Sequence, residues 1–390
     1  MGAAIESSLL GRSVTSTVPR GAIGFAEKVL ELLDEGRYTA TYKYAVLLAL
    51  IDVCLETTAD HGRPPDAVTT RQLADKVVEL YWPHTAPFSG RTPLTVLRQS
   101  SSGQAEIVSV IERFRREHAV DPSVPRWEAR AHSREAYERL VRTVEWKLIQ
   151  MPLPRLQTMG HGTRSFIYEL GWEPGVGRTE VSRYQSDVQS AFDNRLLLKP
   201  GVGEYLLQLS GLLRPLIQRR WAAMVAQVNT LEESQLDAFL FGADRTTTAR
   251  VRGGLLEIQD GRCFYCDRRL AQASGGHVDH FVPWSRYPEN GLDNLVVAHR
   301  ECNLAKSSSL AAAEHVAHWV RRTRKDSSEY PQVAALALRT PWDRNAERAE
   351  SIARAIYLRL PDDASLWQSG REFVAPDREL LRRALASPEA

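Results

Sequence analysis

Two matched ligand spacings constrain this chain more than anything else in it. Cys263-x-x-Cys266 is answered later by His299-x-x-Cys302. Each pair can chelate one ion from a turn or a helix start. Two pairs complete a tetrahedral Cys3His set, which zinc accepts readily. A closed four-ligand site has no open position, so its expected role is structural: it ties the start of the segment to its end. His299 is the least typical member, since a fourth cysteine is commoner. His277 is a poor substitute because it falls beside a second group of polar residues. The remaining cysteine, Cys54, stands in an apolar run and reads as a small buried residue. Cysteines clustered this way favour metal over disulfides.

Between the two pairs lies a second candidate site, built from Asp279, His280 and Asn303. Phosphodiester hydrolysis needs an activated water, a Lewis acid on the phosphate and charge relief on the leaving oxygen. A histidine titrating near neutral pH can take the water's proton. Mg²⁺ prefers oxygen ligands and keeps several waters. Asp279 and the side-chain oxygen of Asn303 are ligands of that type. Residues 276–282 are expected to form a strand ended by Pro283. Strand alternation puts His277 and Asp279 on one face and His280 on the other. Asp279 and His280 can therefore share a site only if the strand bends or stops there. Asn303 and Lys306 share one face if residues 300–307 are helical.

This segment resembles the HNH nuclease family. The residues that carry the likeness are Cys263-x-x-Cys266, the Asp279-His280 pair before Pro283, Asn294, and Cys302-Asn303-x-x-Lys306. The resemblance implies a ββα-metal finger in which His280 is the general base, and Asp279 and Asn303 hold a catalytic Mg²⁺ or Mn²⁺. It implies that Asn294 steadies the loop and the base, and that Lys306 lies near phosphate. His299 departs from the family, where many members carry cysteine. The likeness spans a small finger only, so the rest of the chain is read from its own residues.

At 390 residues the chain is long enough for two to four domains. The expected fold class is α+β, a mostly helical accessory body with a small finger at about 245–310. The expected layout is a flexible N-terminus at 1–20, a helical accessory domain at 21–120 and a mixed, mainly helical middle domain at 127–235. The finger follows at 245–310 and a helical C-terminal segment at 311–390. Thr70 looks like an N-cap for a helix that Pro83 ends. Residues 134–150 and 206–229 read as helices, the latter kinked or split by Pro215. Residues 121–126 read as a linker. A helix-turn-helix near residue 70 competes with a plain helical bundle, and the bundle is the better reading.

A formal net charge of +2 does not by itself imply a nucleic-acid partner. The compact basic run at 321–325 is either a phosphate contact or a solvated face. Trp284 and Tyr287 either stack on bases or pack over their loop. No apolar run approaches the length of a membrane span. The N-terminus has neither a secretory pattern nor a myristoylation pattern, so a cytoplasmic location is expected. The expected partner is nucleic acid, double-stranded DNA first, with a homodimer or partner subunit as one route to double-strand cutting. A finger set behind a larger accessory region resembles restriction or anti-phage nucleases. The competing readings are a ribonuclease using the same site, and a non-catalytic zinc module that binds nucleic acid. The last predicts loss of a catalytic group, yet Asp279, His280, Asn294, Asn303 and Lys306 are all present.

Overall fold

The structure, a computed structural model, describes residues 21–35, 39–90, 94–159, 162–163, 165–242, 247–270 and 276–386. The expected flexible N-terminus at 1–20 lies outside the described residues. The body runs through α1 (Gly21–Glu35), α2 (Tyr42–Glu56), β1 (Ala67–Thr69), α3 (Thr70–Tyr81), α4 (Glu106–Glu117), α5 (Arg126–His132) and α6 (Arg134–Gln150). It continues with β2 (Thr158–Met159), β3 (Gly162–Thr163), β4 (Tyr168–Leu170), α7 (Arg178–Gln185), β5 (Arg195–Leu198), α8 (Val202–Asn229) and α9 (Asp237–Phe241). The finger holds α10 (Arg252–Ile258), β6 (His277–His280), β7 (Leu295–Ala298) and α11 (Arg300–Lys306). The C-terminal segment holds α12 (Ala313–Arg321), α13 (Tyr330–Arg339), α14 (Ala346–Tyr357), β8 (Leu366–Ser369), β9 (Glu372–Val374) and α15 (Arg378–Leu385). The fold is α+β, with helices dominating and small antiparallel sheets between them.

Helix α2 is apolar almost all round, which marks a central helix rather than a surface one. Every residue from Tyr44 to Leu55 is buried, and α3, α8 and α14 pack around it. Asp52 interrupts this run, and Arg214 of α8 pairs with it in the interior. α3 begins one residue earlier than Thr70 suggests as a cap. Thr69 is the N-cap, its hydroxyl accepting from the Gln72 N–H while Gln72 answers with its amide oxygen. Thr70 is already inside the helix and donates to Glu145 at 2.6 Å. α3 lies between α2 and α6, so its side chains are in the core rather than offered to a groove. The bundle reading holds and the helix-turn-helix does not. Pro215 neither splits nor ends α8, which stays helical over 28 residues.

The segment 121–125 is fastened to the body. The carbonyls of Asp121 and Val124 accept from Arg115 at 2.9 Å and from the Trp82 indole at 3.0 Å. The basic run at 321–325 is only partly a solvated face, with Arg321 and Lys325 exposed. Arg322 is fully buried and donates to the Leu295 carbonyl at 2.8 Å, and Arg324 donates to the carbonyls of Ala384 and Ala386. Among the described residues, no helix is long and apolar enough to cross a membrane.

Candidate active site and metal centre

The finger is a two-stranded antiparallel hairpin followed by one short helix. β6 pairs with β7 in the register Val278 to Val297 and His280 to Leu295. Two strands alone are marginal in water, and an open strand edge is a liability. Here the outer edge of β7 is closed residue by residue. The Leu295 carbonyl takes Arg322, and the Val297 carbonyl takes the Phe264 N–H at 2.9 Å and the Gln259 amide at 2.8 Å. The His299 N–H donates to Cys263 Sγ at 3.3 Å. Helix α12 covers the hairpin, with Trp319 stacked on Phe281 at 4.8 Å and His318 on Phe264 at 4.5 Å. His315 packs likewise, against Tyr265 at 5.3 Å and Trp367 at 5.7 Å.

Cys263 and Cys266 sit on a tight knuckle. The Cys263 N–H donates to the Arg268 carbonyl and the Asp267 N–H to the Cys263 carbonyl. Asp267 takes φ +55°, a left-handed conformation that aspartate tolerates. His299 and Cys302 arrive from the start of α11. The ligand atoms of Cys263, Cys266, His299 and Cys302 all lie within 4.8 Å of one another. Tetrahedral zinc with these ligands needs separations of about 3.8 Å at most, so the cluster is close to closure around an ion. His299 takes part as expected, and His277 is exposed. His299 Nδ1 faces Cys266 Sγ at 3.3 Å, while Nε2 lies 3.2 Å from the Arg269 carbonyl oxygen, which fixes the ring. The donor chemistry fits a cation. Burial and the neighbouring Cys263 and Cys266 push the Cys302 thiol up to about 12. Three thiolates in one place need a positive charge among them, and a divalent ion supplies it.

The second group is assembled on the other side of the same hairpin. Asp279 is buried, and its Oδ2 accepts from the Tyr265 hydroxyl at 2.6 Å and from Lys306 Nζ at 3.0 Å. Both contacts fall on Oδ2, which leaves Oδ1 as the oxygen for a cation. Lys306, expected near phosphate, is instead fully buried and also donates to the His280 carbonyl at 2.9 Å. Burial draws its pKa down, with Asp279 opposing. Burial and the Asp279 charge hold the Tyr265 hydroxyl well above the usual phenol range. Asn303 is half-buried one helical turn before Lys306, on the face of α11 that looks toward Asp279. The geometric condition on the strand is met, because β6 stops at His280 and the chain turns away at Pro283.

Asn294 is buried and staples the turn. Its Oδ1 accepts from the Val282 N–H at 2.8 Å, and its Nδ2 donates to the carbonyls of Val282 and Glu289. It steadies the loop as expected, but another residue meets the histidine. His280 Nε2 lies 3.0 Å from Asn290 Oδ1, and Trp284 packs edge-on to the ring at 5.4 Å. Tyr287 is buried against the body: its hydroxyl bonds Glu56, and Arg214 lies 5.2 Å from its ring centroid. Sequence reasoning missed Tyr265 and Asn290. Tyr265 lay inside the cysteine knuckle, where aromatics usually only pack. Asn290 stood in a polar loop with nothing to mark it.

The profile of a family described as HNH endonuclease matches residues 263–309, which span both centres. That match suggests nuclease activity and nucleic-acid binding, and the Cys3His cluster is of the zinc-binding type. A family described as a domain of unknown function (DUF8808) matches residues 23–239, the whole helical body. No curated protein matches the chain. The chain therefore belongs to the DUF8808 family and carries an HNH endonuclease domain after the region that defines it.

Proposed function

We propose that this protein is a metal-dependent endonuclease that hydrolyses phosphodiester bonds in DNA, with the helical body selecting the target in restriction or anti-phage defence. The observation that carries the reading is Lys306 bonded to Asp279 and to the His280 carbonyl, on a hairpin and helix that also bring the Cys3His cluster together; Asn303 lies one helical turn before Lys306. The cluster is the structural zinc site, and Asp279 Oδ1 with Asn303 would hold Mg²⁺ or Mn²⁺. When bound, that cation supplies positive charge for the phosphate and the leaving oxygen. His280 takes a proton from water, and the water oxygen forms the new bond to phosphorus. The bond from phosphorus to the leaving oxygen breaks, and that oxygen is protonated from solvent. Lys306 and the Tyr265 hydroxyl hold the Asp279 carboxylate in place through its Oδ2. Double-strand cutting would need a second active site or a second visit.

The test is plasmid cleavage by the purified protein with Mg²⁺ or Mn²⁺, beside His280→Ala, on unmodified DNA, modified DNA and a structured RNA. Cation-dependent cutting of DNA that the variant lacks is the expected result. Cutting of RNA alone would move the substrate class, and equal activity of the two proteins would sink the assignment of His280.

A further inference from the structure

We propose that Asn290, held in place by Trp342, is the positioning residue of His280: it fixes the imidazole as the Nε2–H tautomer and so makes Nδ1 the atom that takes the water's proton. The proton-accepting role rests on the nuclease reading above, whereas the tautomer does not. A neutral imidazole has one donor nitrogen and one acceptor nitrogen, and the hydrogen bond made by one sets the role of the other. Asn290 Oδ1, 3.0 Å from His280 Nε2, can only accept. The proton therefore sits on Nε2, and Nδ1 carries the lone pair.

Asn290 is itself constrained from several directions. The Trp342 indole donates to its carbonyl at 2.8 Å, and the next-but-one residue, Leu292, donates its N–H to the Asp343 carbonyl at 2.8 Å. The preceding residue, Glu289, ion-pairs with Arg348 at 2.5 Å, and its carbonyl accepts from Asn294 Nδ2 at 3.0 Å. Trp342 is buried and lies 6.4 Å from the Trp127 ring of the body. It stands outside both matched regions, so the finger's histidine is aimed through a residue that the finger does not contain. Trp284 closes the second side of the ring, leaving it little rotational freedom.

The experiment uses the full chain with ¹⁵N-labelled histidine, in wild type, Asn290→Leu and Asn290→Asp, with the His280 signals assigned from their loss in His280→Gln. Long-range ¹H–¹⁵N correlation at a pH where the ring is neutral reports which nitrogen carries the proton. Wild type is expected to show Nε2–H. Asn290→Leu, which has similar volume and no acceptor, should shift the population toward Nδ1–H and lower kcat about 10- to 100-fold with KM unchanged. Asn290→Asp restores the acceptor and should restore the tautomer and most of kcat, with zinc content and melting temperature equal in all three. A wild-type ring protonated on Nδ1, or an Asn290→Leu protein with unchanged tautomer and kcat, would overturn the proposal. The expected tautomer change in a protein that cuts no nucleic acid would support the contact and count against the nuclease reading instead.

Discussion

The helical body and the finger solve the problem of staying folded in different ways. In the body, α2 is enclosed by apolar side chains and aromatic rings gather around Trp221, with Tyr81 at 5.0 Å and Phe241 at 5.6 Å. Burial of that kind needs no ligand. The finger has two four-residue strands and a seven-residue helix, too little to enclose a core of its own. Its Cys3His cluster would hold an ion at one end, and α12 lies across its face. Apolar burial is continuous from body to finger, and buried charges also cross where the two regions meet. Arg348 pairs with Glu289 of the finger and with Glu56 and Glu79 of the body, and Lys76 pairs with both body carboxylates. A region held by burial alone and one that also depends on a cation should respond differently to removal of that cation.

The hardest blow to that contrast is removal of the ion. Cys302→Ala, or a strong chelator, should strip zinc and abolish the finger's melting transition along with any cutting, since structural zinc supplies about 10 kcal/mol or more of folding free energy. Calorimetry should still record the body's transition. A single transition that moves as one would show that the two regions do not differ in this way.

His280→Ala separates chemistry from folding inside the finger. Cutting should fall about 100- to 10,000-fold, the range for loss of a general base. Zinc content should match wild type, because His280 is not one of the four residues of the Cys3His cluster.

Lys306→Met probes the finger's one fully buried ammonium. The variant breaks the buried pair with Asp279, a loss of about 3 kcal/mol. Denaturation of the zinc-loaded variant in buffer without Mg²⁺ and in buffer with it should differ, with Mg²⁺ recovering part of the loss. Equal loss in both buffers would argue that no cation sits against Asp279.

The smallest effect is expected in the body. His84 is fully buried, edge-on to Trp221 at 4.9 Å, with Nε2 at 3.1 Å from the Leu240 carbonyl oxygen. Burial brings its pKa down to about 4, below the ordinary value near 6.5. Because the folded pKa is the lower one, its contribution is complete above about pH 6.5 and is lost as pH falls toward 4. Between pH 7 and pH 5 this amounts to about 2 kcal/mol. Chemical denaturation of the body in wild type and His84→Gln should diverge by that amount at pH 5. Parallel curves would assign the body's acid sensitivity to other groups.

Much of this was legible in the residues. Residues 134–150 were expected as a helix, and α6 spans Arg134–Gln150. The finger's ligands could be read because metal chelation imposes short, fixed spacings. What could not be read depends on residues far apart in the chain. A basic run gives no hint that Arg322 is buried against β7, because its partner is a backbone carbonyl. Asp52 looked like the end of an apolar stretch until Arg214 of α8 was seen to pair with it. Of the two outcomes expected at Pro215, a kink or a split, the split does not occur: α8 is one helix, with Leu213, Arg214 and Ile217 buried on either side of the proline. Asn290 gained its place only through a tryptophan more than fifty residues downstream.

The closure of β7 by Arg322 has a consequence for where the catalytic unit ends. The HNH match stops at residue 309 and Arg322 lies beyond it. A fragment cut at that boundary would keep every zinc and catalytic ligand but leave the Leu295 carbonyl and the apolar face of Phe281 bare. Such a fragment would bind its metals and still self-associate, strand edge to strand edge. The smallest piece that stays monomeric must therefore run through α12 to Arg322.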